Sequence, residues 1–140
     1  QQQNQEQNQE QNTKINNLIK DPLEAQTYNA INSRRNSYRG NNLQWDERLA
    51  KGAHQHSIAM ANSGSIYHAS GNFAENVAMF TSFQELTPEQ VALRFTNMWM
   101  NSPGHRANIM GGYSKTGVGV YVARDSNYGY KYYATQRFTR

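Results

Sequence analysis

The 140-residue chain has no cysteine. That absence removes thiol nucleophiles, disulfides and zinc–thiolate centres together, so any metal must be held by His, Asp or Glu. It also leaves the redox compartment open, because a cysteine-free chain suits any of them. Proline is scarce, and the three that occur, Pro22, Pro88 and Pro103, directly follow Asp21, Thr87 and Ser102. Each pair reads as a capping residue and the first position of a helix. No apolar run approaches the roughly 20 residues of a membrane span, and no signal peptide is recognisable. The basic excess is small: fourteen Lys and Arg against ten Asp and Glu give a net charge of +4. These residues are scattered, the densest group being Arg34, Arg35 and Arg39, so no nucleic-acid partner is expected.

What is present suits one domain, since a chain of this length buries roughly two thirds of its unfolded surface. Residues 1–12 contain only Gln, Asn and Glu, and nothing there repays the entropy of ordering. Residues 1–14 are expected to form a disordered Gln/Asn-rich tether and residues 15–140 the folded domain. A first helix should run from Asp21-Pro22 to Tyr38–Gly40, with Leu23, Thr27, Ala30, Ile31 and Arg34 on one face and the Arg34-Arg35 pair at a solvated rim. Asp46 should cap a second helix whose buried stripe is Leu49, Ala53, His56 and Met60. His56 then reads as a core histidine bonded to a polar neighbour, and His54 as solvated. The segment from Ile66 to Phe80 shows no period and reads as a loop carrying His68 and Glu75. Thr87-Pro88-Glu89-Gln90 predicts a capping box and a third helix with Val91, Ala92, Phe95, Met98 and Trp99 on its apolar stripe.

Ser102-Pro103 ends that helix and starts a short fourth one, Pro103 to Met110, stopped by Gly111-Gly112. His105 falls in its first turn, where free N–H groups and the helix dipole disfavour imidazolium, so it is a candidate ligand or base. Thr116, Val118, Val120 and Val122 then alternate with Gly117, Gly119, Tyr121 and Ala123, and Tyr130 to Phe138 alternates again after a loop at Asp125–Gly129. Helices first and an antiparallel hairpin last predict an α+β domain. His68, Glu75 and His105 offer two imidazoles and a carboxylate, a set that suits zinc, but their spacing matches no compact local motif.

Several separated pieces carry a resemblance: Asn32-x-x-Arg35, Leu43-Gln44-Trp45-Asp46, Ala53-x-x-His56-Ser57, Tyr67-His68, Ala74-Glu75-Asn76-Val77, Trp99-Met100-Asn101-Ser102-Pro103-Gly104-His105-Arg106-x-Asn108-Ile109, Gly117-Val118-Gly119-Val120 and Tyr133-Ala134-Thr135-Gln136-x-Phe138. Together, over residues 23–138, they resemble the CAP superfamily (cysteine-rich secretory, antigen-5 and pathogenesis-related proteins) in its bacterial, cysteine-free, SCP-like form. The resemblance implies an α-β-α sandwich with a central antiparallel sheet flanked by helices, and a cleft holding two histidines and two acids. His68 looks like the first histidine, Glu75 like the first acid and His105 like the second histidine. The second acid would stand three residues after Trp99, where this chain has Ser102, and a hydroxyl cannot replace a carboxylate's charge.

The function so implied is an exported, surface-tethered, non-enzymatic binding module with a ligand cleft at His68, Glu75, Ser102 and His105. Its partner would be a lipid, a sterol, a glycan or an extracellular or host protein. Zinc is the one cofactor such a cleft would take, on His68 and His105 with Glu75 as a third ligand. The alternative is a zinc-dependent hydrolase using the same three residues. An extracellular or cell-surface location follows, and a lipid anchor upstream of residue 1 would suit the tether.

Overall fold

Caps and prolines divide the chain as expected, and the computed structural model describes residues 18–140. The expected tether over residues 1–14 lies outside the described residues. Helix α1 (Pro22–Arg39) is capped by Asp21, whose carboxylate accepts from the Leu23 and Glu24 amides, and it ends at Gly40 in the left-handed conformation. Strand β1 is two residues long (Gln44–Trp45), and α2 (Glu47–Ser63) follows with Asp46 as its cap. Strand β2 (Ala74–Ser82) leads to α3 (Pro88–Met100), which carries the predicted capping box between Thr87 and Gln90. Helix α4 (Pro103–Ile109), β3 (Lys115–Asp125) and β4 (Gly129–Thr139) complete the fold.

The four strands form one sheet in the order β1-β3-β4-β2. β2, β4 and β3 are antiparallel neighbours, while β1 pairs with β3 in parallel. The sheet is therefore mixed rather than purely antiparallel, because the chain enters β1 from the end of α1 and leaves it directly into α2 instead of turning back. Alternation sorts the side chains to two faces. Val118, Val120, Ala78, Phe80, Tyr132, Ala134 and Phe138 meet Tyr28, Ile31, Phe95, Trp99 and Ile109 from α1, α3 and α4 in the larger core. On the other face Val77 and Tyr133 meet Met60 of α2. The α-β-α sandwich stands.

Three expectations shift by a residue or an element. Glu75 lies on a strand, not in a loop: β2 is buried on both faces over Glu75–Ala78 and so shows no alternation to read. On α1 the buried set is Glu24, Ala25, Thr27, Tyr28, Ile31, Asn32 and Arg35, one step round from the predicted face. Arg35 is consequently 1% exposed rather than solvated. On α3 Met98 is exposed, and Thr96 and Met100 join the buried stripe in its place.

Arg35 shows how a buried cation is accommodated without a carboxylate. Its guanidinium donates to the carbonyls of Ile109 (2.6 Å), Gly111 (2.8 Å) and Tyr113 (3.0 Å). These include the acceptors left open where α4 ends, the negative pole of a helix. Arg35 thus fixes the position of the helix that carries His105.

Candidate functional site

The centre of the site is the Glu75 carboxylate. Glu75 and Arg137 are register partners on β2 and β4, and both project to the face on which α2 lies. Arg137 Nε donates to Glu75 Oε2 at 3.0 Å, and its guanidinium stacks over the Phe73 ring at 4.2 Å. The other carboxylate oxygen, Oε1, accepts from the Ala69 amide (3.0 Å) and from His68 Nδ1 (2.9 Å). The Glu75 side chain is only 4% exposed while that of His68 is 60% exposed, so the carboxylate is an interior anchor for an imidazole at the surface. With Nδ1–H given to Glu75, neutral His68 presents the Nε2 lone pair outward.

The segment carrying His68 is held from the other side by α2. His56, buried as expected, donates Nε2–H to the Tyr67 carbonyl at 2.7 Å, and its ring meets the Tyr67 ring edge-on at 5.0 Å between centroids. His56 is thus the core histidine the sequence suggests, and it positions the loop one residue before His68. Ile66 and Tyr67 beside it are exposed.

His105 arrives on α4, which two asparagines fasten to β2. Asn76 Nδ2 donates to the His105 carbonyl (3.1 Å), and Asn108 Nδ2 donates to Asn76 Oδ1 (2.9 Å) and, at 3.4 Å, to the Glu75 carbonyl. Because β2 is an edge strand, the loop before it and the helix behind it meet at the same margin. Burial lowers the basicity of the His105 imidazole, and the nearby His68 lowers it further. Ser102 occupies the N-cap position of α4, but its hydroxyl makes no capping hydrogen bond. Pro103 at the first helical position has no N–H to satisfy, which relaxes the need for a cap.

The structure therefore brings His68 and Glu75 into direct contact, sets His105 within electrostatic reach of His68, and leaves the Ser102 hydroxyl uncommitted. Glu75 is fully engaged by three donors and suits an orienting role behind His68 rather than a place in a metal's own ligand set. By donor chemistry two imidazoles suit zinc, but His68, Glu75 and His105 do not bring three ligand atoms to within 4.8 Å of one another. Sequence reasoning missed Arg137, which the motif passes over as the variable position before Phe138. The alternation of β4 assigns it to the face opposite Gln136 and Phe138, but no local signal names its cross-strand partner. It also left His54 to solvent, whereas His54 Nδ1 bonds Glu24 Oε2 at 2.5 Å. Among the described residues, the His, Asp and Glu ligand atoms that lie in threes within 4.8 Å of one another are those of Asp21, Glu24 and His54, away from this site.

The comparisons with other proteins agree with this architecture. Residues 28–138 match the CAP family, described as the cysteine-rich secretory protein family. No curated protein matches the sequence. Among solved structures, an outer surface protein of Borrelia burgdorferi aligns at 19% identity and a TM-score of 0.56, covering 81% of this chain and 89% of that one. An extracellular protein containing an SCP domain from Bacillus anthracis aligns at 23% identity and a TM-score of 0.60, over 84% of this chain and 40% of its own. A cysteine-rich secretory protein from Staphylococcus aureus aligns at 20% identity and a TM-score of 0.52, over 84% and 39% respectively.

Proposed function

From the premise that this chain belongs to the CAP family of cysteine-rich secretory proteins, we propose that it is an exported, surface-tethered binding module whose cleft takes a divalent metal or small ligand without transforming it. The observation that carries this reading is the state of Glu75. Both of its oxygens are occupied by protein donors, so the cleft presents imidazoles and a hydroxyl but no free carboxylate to take a proton from water. The Ser102 substitution removes the other carboxylate that the resemblance would supply. A zinc hydrolase that commits both imidazoles to the metal would lack a free carboxylate base.

His68 Nε2 and His105 are the groups that would hold zinc, and Glu75 would orient His68 from behind. Bound there, the metal would supply an open coordination position for an oxygen-bearing ligand. The exposed Ile66 and Tyr67 add amphipathic area next to that position, consistent with a lipid, sterol, glycan or extracellular protein as the partner. Export and surface display are supported by the family's secretory character and by the names of the structural neighbours. No helix among the described residues is long and apolar enough to cross a membrane, and the Gln/Asn-rich residues 1–14 suit a spacer from an anchor.

Calorimetric zinc titration of the full chain tests the cleft. The His68→Ala/His105→Ala double variant is expected to lose one equivalent of zinc that the wild type binds. An unchanged stoichiometry and affinity would remove the metal from this reading, and ester or peptide hydrolysis that disappears in the double variant would overturn the non-enzymatic one.

A further inference from the structure

A second group of side chains lies at the start of α1, where Glu24 meets His54 of α2 beside Val120 of β3. Asp21, Glu24 and His54 each bring one ligand atom to within 4.8 Å of the others. His54 is two residues from His56 on α2, about 200° round a helix, so it faces away from the Tyr67 loop and from the cleft at His68. We infer that Asp21, Glu24 and His54 form a divalent transition-metal site of the zinc class, separate from the cleft.

Three observations support the assignment. The first is donor availability. Asp21 Oδ1 accepts from the Leu23 and Glu24 amides, and Glu24 Oε2 accepts from Val120 N–H (3.0 Å) and bonds His54 Nδ1. Asp21 Oδ2 and Glu24 Oε1 carry no hydrogen bond to another described residue. Each carboxylate is thus aimed by one oxygen and open at the other. The second is charge. Glu24 is buried, with the Asp21 carboxylate close beside it. A carboxylate kept from water beside a second one is stabilised by a nearby cation, and the imidazole is the one protein group bonded to it that can carry positive charge. Lys20 and Lys51 line the same cavity, but both are exposed and neither is ion-paired to the trio.

The third is room. The trio lines a cavity of about 650 Å³ bounded also by Leu18, Trp45 and Glu47. A metal with three protein ligands facing such a space keeps a position for water or another ligand. One imidazole with two carboxylates suits zinc or another first-row divalent ion; magnesium and calcium favour sets made of oxygen alone.

The test is zinc calorimetry on the full chain in the His68→Ala/His105→Ala background, so that the outcome does not depend on the cleft. One equivalent of zinc is expected to remain, with no binding of magnesium. His54→Gln should weaken it by more than the roughly 10- to 100-fold that outer-shell partners of a metal carry. Asp21→Asn, which preserves the helix cap, should weaken it too, and it decides the matter if His54→Gln does not fold. In the bound state the Val120 amide resonance should shift with zinc. No zinc bound in the double-variant background, or zinc bound with unaltered affinity in both His54→Gln and Asp21→Asn, would overturn the assignment.

Discussion

Arg35 concentrates much of what a single side chain does for this fold. It is a buried guanidinium whose terminal nitrogens donate to three main-chain carbonyls at and just beyond the end of α4, while its buried Nε has no partner among the described residues, and burial, then the like charge of Arg39, lowers its basicity. Replacing it by Leu leaves those carbonyls with their desolvation cost and no donor, a loss of about 3 kcal/mol. Urea denaturation should show it as a lower midpoint with an unchanged slope. His105 gives a pH signature. Its folded pKa is lowered from 6.5, so the unfolded chain binds more protons than the folded one between the lowered value and 6.5. The stability contributed by this group is present above that window and is lost as pH falls through it. His105→Asn should flatten the corresponding part of the stability–pH profile, measured as the difference between variant and wild type; an unchanged profile would remove His105 from the explanation.

At the scale of elements, the face of β3 that carries Gly117 and Gly119 explains how a helix can lie so close to a sheet. A Cβ at Gly117 would collide with the backbone of Leu49 and Ala50, and one at Gly119 with the backbone of Ala53 and His54. Ser57 completes the seam by donating to the Gly119 carbonyl at 2.8 Å. Gly119→Ala must push α2 outward, and since the obstruction is backbone rather than a side-chain tip, its cost belongs at the upper end of overpacking, about 3 kcal/mol. Thermal melting checks this. The glycine-thinned face was legible in the sequence, as were the helices, because caps and prolines act locally and alternation survives wherever one face of a strand differs from the other. β2 was not legible, since a strand buried on both sides reads as an apolar run with polar residues whose partners lie elsewhere. The phase of α1 was misread for a related reason: Glu24, Asn32 and Arg35 are buried polar groups whose acceptors and donors, Val120, Leu43 and Ile109 among them, are remote in the chain.

For the whole molecule, the candidate site follows the same rule. His68, Glu75 and His105 could be named from spaced motifs, yet the role of Glu75 depends on Arg137, 62 residues away, and that of His54 on Glu24, 30 residues away. One such long-range contact has a bearing on how copies of the molecule behave together. β1 covers only Lys115 and Thr116 of β3, so among the described residues no strand pairs with that edge of β3 further along, the side on which a second chain could add a strand. Glu24 occupies it by accepting the Val120 N–H, placing a carboxylate where an incoming strand would have to dock. Colloidal behaviour would then depend on one residue of α1. Glu24→Val should remain folded at low concentration and self-associate as concentration rises, seen as growing light scattering, whereas Glu24→Gln, which keeps an acceptor for Val120, should stay monodisperse.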